Sequence, residues 1–141
     1  MFRLIKLYFS FSFRRKWLIL VTFFLSLYSY LLFKFRPKWI RFGRINHEEL
    51  NELPVDPELV KDIRVSIQIV TNKMPVDLLC RHQSHVAKIL FNYFKIPYKL
   101  YIGFKKEEDN SIKGHAWTEV KGQQITGFCD PKEYVIQAVY S

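Results

Sequence analysis

The sequence predicts an α+β domain: one central helix packed on a small antiparallel sheet, with N-terminal helices ahead of it. Three observations carry this. Between Met74 and Pro97 apolar residues recur at helical spacing until proline stops them. Short segments rich in Tyr, Val and Ile follow, separated by polar and glycine-containing turns. The order of a helix and then about four strands places the helices on one side of an antiparallel sheet.

The 141 residues suit a single domain with a modest core, divided into a basic, apolar helical segment at 1–45 and a folded core at 46–141. Charge marks the same division. Residues 1–47 hold ten Lys/Arg and no Asp or Glu, whereas the remaining 94 hold twelve Lys/Arg against thirteen acids. The net charge of +9 therefore belongs to the first third. A basic, aromatic, acid-free segment suits an anionic membrane surface or an acidic partner. No nucleic-acid recognition motif accompanies it, and no nucleic-acid partner is expected. Two cysteines make neither a disulfide framework nor a paired metal motif, so a reduced cytoplasmic setting is expected, with the first segment against the inner face of the membrane.

Trp17 to Phe33 runs 17 residues without a charge, short of the ~20 that span a bilayer, and Thr22, Ser26 and Ser29 soften it. Basic clusters flank both ends and assign no orientation. No small-x-small site follows, which argues against a cleaved signal. The segment reads as a packed or interfacial helix rather than a span. Gly43 marks a boundary, and Asn51 to Leu59, with two prolines, reads as a connector. Val60, Ile63, Ile67 and Val70 then resume helical spacing. In the central helix Asp77 is the expected N-cap, with Leu79, Val86, Leu90 and Phe94 on the apolar side. Tyr98 to Phe104 reads as a strand, residues 105–114 as a polar loop, and 115–120 and 123–126 as a hairpin turning at Lys121-Gly122. Tyr134 to Tyr140 closes the sheet.

Chemistry centres on Cys80, in the first turn of the central helix, where backbone N–H groups and the helix dipole favour thiolate. A buried packing role is the alternative for a free cysteine. His115, expected to begin a strand after a loop, is the candidate base, and Trp117 and Glu119 share its face. A surface histidine at a strand end is the plain alternative. His82 and His85 do not line up with Cys80 on one helical face, since positions 80 and 82 point about 200° apart, so no metal is expected. Cys129 falls in a loop with no helix start to activate it and reads as incidental.

A helix-initial Cys, a His in "GHAWTEV" and a further strand resemble the transglutaminase-like (papain-like) cysteine peptidase core. More narrowly, residues 74–106 followed by "HAWTEVKGQQITG" resemble the B protein of lasso-peptide biosynthesis, specifically its stand-alone leader-peptidase half. The match in order covers roughly Ile63 to Tyr140 and includes Cys80 with Ser84 four residues on. The resemblance implies that Cys80 attacks a peptide bond in a precursor's leader, with His115 as general base and then acid, and no cofactor. It also implies three partners: the precursor leader, a separate recognition protein and a macrolactam-forming cyclase. No segment here reads as a leader-recognition module of its own. The family carries an acid in the strand after the hairpin turn, whereas here residues 123–127 contain none and the first acid is Asp130. Asp130 is either the third catalytic member or a turn former before Pro131. A dyad with a backbone carbonyl or a glutamine as orienter stays open. Two other activities fit the same residues: a non-catalytic membrane-associated adaptor, and an acyl transferase in which an amine replaces water.

Overall fold

The computed structural model describes residues 5–6, 9–42 and 54–141. Gly43 and the start of the connector at 51–53 lie outside the described residues. Helix α1, Phe13–Phe35, extends the uncharged run into its basic flanks. Ser12 caps it, its hydroxyl accepting from the Arg15 N–H. It stops before Pro37, which disfavours helix in the preceding residue and opens a short 3₁₀ turn at Pro37–Trp39.

Helix α2, Pro57–Lys73, starts three residues before Val60, where its apolar period begins. Asp56 accepts from the Glu58 N–H at 3.0 Å, and Pro57 occupies the first helical position, where no donor is needed. The proline that reads as part of a connector is thus a helix start. Val60, Ile63, Ile67 and Val70 are all buried.

Helix α3, Cys80–Tyr93, begins later than the sequence suggests, which corrects the expected cap. Leu79 is the N-cap residue, and Asp77 lies outside the helix. The cap bond comes from inside the first turn: the Leu79 N–H donates to His82 Nδ1 at 2.9 Å, the role a glutamate fills in a capping box. Cys80 is therefore the first helical residue.

The sheet has four antiparallel strands in the order β3-β2-β1-β4. They are β1 (Lys99–Lys106), β2 (Ile112–Val120), β3 (Gln123–Thr126) and β4 (Val135–Tyr140). Half of the expected polar loop at 105–114 is strand, since β1 and β2 stay paired out to Lys106 with Ile112. Only 107–111 turn, closed by Glu107 N–H to Ser111 O and by Asp109 accepting from Ser111. Polar side chains on a protruding hairpin are solvated, so the ladder continues without an apolar pattern. His115 accordingly sits inside β2 and not at its start. The β2–β3 turn falls at Lys121 and Gly122, with φ of 49° and 77°, as a two-residue hairpin with the sheet's twist requires.

Ala116, Thr118 and Val120 face the helices, and His115, Trp117 and Glu119 point to the opposite side. The core joins Ile63 and Ile67 of α2, Val86, Leu90 and Phe91 of α3, and Leu100, Val120 and Ile125 of the sheet. Full burial of such a side chain contributes about 1.5–3 kcal/mol. Helix α1 joins this core through Leu18 and runs antiparallel to α3: Trp17 meets Tyr93, Ser29 meets His85, and Phe33 meets His82. Its N-terminal end is tied to α2 by Arg14 and Arg15, which both grip the buried Asp62 at 2.6–2.9 Å.

Candidate active site

The site forms where β3 ends. Its last pair with β2 is Thr126 opposite Thr118, so the flank of β2 at residues 115–117 has no strand beside it. Gly127 causes the ending. It adopts φ +65°, which turns the chain off the ladder, and a Cβ there would lie 2.2 Å from the Ala116 carbonyl oxygen. Only glycine allows this approach, and it brings the Gly127 carbonyl to 2.7 Å from His115 Nε2.

That contact determines the tautomer. A carbonyl only accepts, so Nε2 carries the proton and donates, leaving Nδ1 of the neutral ring with its lone pair. The ring is held in plane by aromatic neighbours. Tyr134 stacks on His115 at 5.2 Å between centroids and Trp117 at 6.0 Å, while Tyr101 stacks beneath Trp117 at 5.2 Å. Trp117 is fully buried, and its indole N–H donates to Glu119 at 3.3 Å.

Cys80 opens α3, and among the described residues no hydrogen bond joins it to His115. One turn further along the same helix face, the Ser84 hydroxyl lies 3.2 Å from that of Thr126, which is in turn 2.9 Å from that of Thr118. This buried hydroxyl chain sets the helix start against the end of β3. The Cys80 and Arg81 N–H groups occupy the first turn, where no intrahelical acceptor exists. Cys80 is partly exposed.

Cys129 lies in the loop after Gly127, where the Gln124 side chain grips both its backbone N–H and its carbonyl, at 3.0 and 2.9 Å. Burial pushes its thiol up, and Asp130, Glu119, Glu133 and Cys80 push it further. It is therefore held protonated, the opposite of what a nucleophile needs. Asp130 caps the 3₁₀ turn at Pro131–Glu133, its carboxylate accepting from the Lys132 N–H at 3.0 Å. Glu133, at the end of that turn, pairs with Lys105.

A sequence model of the transglutaminase-like superfamily matches residues 29–138. The chain belongs to the transglutaminase-like superfamily. The match spans α2, α3 and nearly the whole sheet, and reaches back into the second half of α1. Searches of curated proteins and of solved structures gave no match. Members of the superfamily are mostly cysteine peptidases or acyltransferases.

The two histidines near Cys80 serve packing in this transglutaminase-like chain. Burial and the Arg81 charge lower His82, whose Nδ1 is occupied by the helix cap. His85 is lowered to about 4, chiefly by burial and also by Lys88 and His82, with Nδ1 3.0 Å from the Ser29 hydroxyl. Phe33 stands edge-on to both rings. Among the described residues no group of three His, Cys, Asp or Glu side chains is placed to hold a metal.

Three features of the site escape a reading of residue types. The Gly127 carbonyl is main chain, the Thr118–Thr126–Ser84 chain joins three elements, and Tyr134 reaches His115 from a strand's approach. The one available signal was Gly127 itself, an isolated glycine at the end of a strand pattern, which marks a close backbone approach.

Proposed function

We propose that the chain is a cysteine peptidase that removes the leader segment from a ribosomally made lasso-peptide precursor in the cytoplasm. A separate recognition protein presents the precursor, and a macrolactam-forming cyclase takes the product. The observation that carries the chemistry is the His115 tautomer, with Nε2–H committed to Gly127 and Nδ1 free as a base. The superfamily match supports acyl chemistry at a cysteine. The leader substrate rests on the resemblance of residues 74–106 and 115–127 to the lasso B proteins.

The reaction follows from these groups. His115 Nδ1 takes the Cys80 proton as sulfur bonds to the scissile carbonyl carbon. The resulting oxyanion is met by first-turn N–H groups of α3, those of Cys80 and Arg81. The imidazolium returns the proton to the leaving amine as the C–N bond breaks, leaving a thioester. His115 then deprotonates a water that attacks the thioester, releasing the carboxylic acid and restoring the thiol. In this scheme Gly127 orients the ring throughout, the part a carboxylate or amide plays in other cysteine and serine hydrolases.

The test is incubation of precursor and recognition protein with wild type, Cys80→Ala and His115→Ala. Cleavage should fall about 10³-fold or more in both variants. Retained cleavage by Cys80→Ala overturns the proposal. Product mass separates hydrolysis from capture of the acyl group by an amine.

A further inference from the structure

Helix α1 is built inside out. Its inward face carries Leu18, Thr22, Ser26, Ser29 and Leu32, all buried, and among the described residues the Thr22 hydroxyl has no hydrogen-bond partner. Its outward face carries Phe13, Leu20, Phe24, Leu27 and Leu31, all exposed, with Trp17 at its edge, 40% exposed and in ring contact with Tyr93 and Phe94 of the domain. A surface helix of a water-soluble domain shows the reverse arrangement. Phe13 is 85% exposed and Phe24 60%, and the row continues to Phe35 at the end of the helix and past it to Trp39, at 66% and 68%. So large a contiguous apolar surface marks a docking face.

Charge indicates what covers it. Lys34, Arg36, Lys38 and Arg41 follow the stripe at its C-terminal end, and among the described residues none of them has a carboxylate partner. Lys34 lies over the Tyr30 and Phe35 rings, and Arg36 over Trp39, so cations and aromatic rings are interleaved as at a lipid headgroup boundary. A second copy of the chain is a poor occupant. Self-pairing would bring together two segments that each hold ten Lys/Arg and no acid over residues 1–47.

We propose that this face docks the protein onto an anionic bilayer, with α1 lying flat in the interface. The 23 residues of α1 measure about 35 Å, enough to cross a hydrocarbon core of ~30 Å. However, α2 and α3 are fastened along the inward side of α1 from Arg14 to Phe33, through Asp62 and His85 among others. An upright α1 drags those polar groups into hydrocarbon, and a flat one keeps them on the water side. The start of α3, with Cys80, adjoins the C-terminal end of α1 through Arg81 over Phe33, so the flat pose holds the site near the membrane surface.

The full chain should sediment with vesicles of phosphatidylcholine containing phosphatidylglycerol, weakly with phosphatidylcholine alone, and less as salt rises. Phe24→Gln with Leu27→Gln should weaken this partition about tenfold or more while leaving the circular dichroism spectrum and melting unchanged, since both side chains face outward. Brominated lipid should quench Trp17 and Trp39. Two results overturn the proposal. One is no vesicle binding with a dimer that the double variant dissociates. The other is insertion that resists alkaline carbonate and exposes opposite ends of α1 on opposite sides of the vesicle.

Discussion

His115 Nε2 donates to the main-chain carbonyl of Gly127 at 2.7 Å, and no side chain stands in that position. The imidazole is therefore oriented by a backbone turn that exists only because residue 127 is glycine.

Gly127→Ala tests that dependence. The substitution places a methyl 2.2 Å from the Ala116 oxygen and asks an L-residue to hold φ +65°. Stability should fall by about 1–3 kcal/mol in urea unfolding. Cleavage should fall further than the unfolded fraction accounts for, mainly in kcat, because the ring loses its fixed partner. Unchanged kcat in the folded variant would remove Gly127 from the scheme.

Asp130 separates two arrangements of the site. Its carboxylate caps the Pro131–Glu133 turn at the Lys132 N–H. Asp130→Ala should thus cost about 0.5–2 kcal/mol of stability and change kcat/KM by less than about tenfold. A loss of about 10²-fold or more would make Asp130 the orienter of His115, as an acid is in other triads.

His85 predicts a pH dependence of folding. Its pKa is lowered from 6.5 to about 4 in the folded chain, where burial, Lys88 and His82 disfavour the charged ring. Between these values the unfolded chain binds more protons, so stability is full above about pH 6.5 and declines as pH falls towards 4. The decline should reach at most about 3 kcal/mol. His82, also lowered by burial, adds to the same slope. Urea midpoints measured across this range should fall with acidity, and His85→Gln should flatten the curve. A flat wild-type curve would contradict the burial of a neutral His85.

The clamp on Asp62 holds α1 to the domain. Burial raises this carboxyl, but hydrogen bonds and charge from Arg14 and Arg15 outweigh it and lower the pKa overall. Asp62→Ala takes the carboxylate from Arg15 and leaves Arg14 with Asp56 at 3.4 Å, and should cost about 2–4 kcal/mol, read from thermal unfolding. The loss in Arg14→Ala should be smaller, since that side chain is partly exposed and Arg15 keeps its own bonds to Asp62. Equal losses would show that the two arginines act only as a unit.

Local chemistry made much of the fold legible. Periodicity located α2 and α3, Lys121-Gly122 turned a hairpin, and the α+β class followed from their order, whereas α3 ends at Tyr93, before Pro97, where Lys95 turns at φ 54°. Errors arose where a local signal had two meanings. Pro57 read as a connector because proline breaks helices, yet it also begins them. Asp77 read as a cap because its type fits, while the His82 ring, outside the usual set of partners, made the bond.

Residue types alone singled out Cys80 and His115 as the chemical groups, and named a backbone carbonyl among the candidates to orient the ring. Only the tertiary structure decided which atom does so, because a main-chain carbonyl carries no side-chain signature and reaches His115 only after β3 ends and Gly127 turns. The same holds for α1. Its composition announced an apolar helix, but which face meets the protein depends on packing. Hydropathy puts the aromatic and leucine side inside, whereas the hydroxyl face meets α3 and the apolar face is left outside. Composition is a property of the chain, and the choice of face is a property of its neighbours.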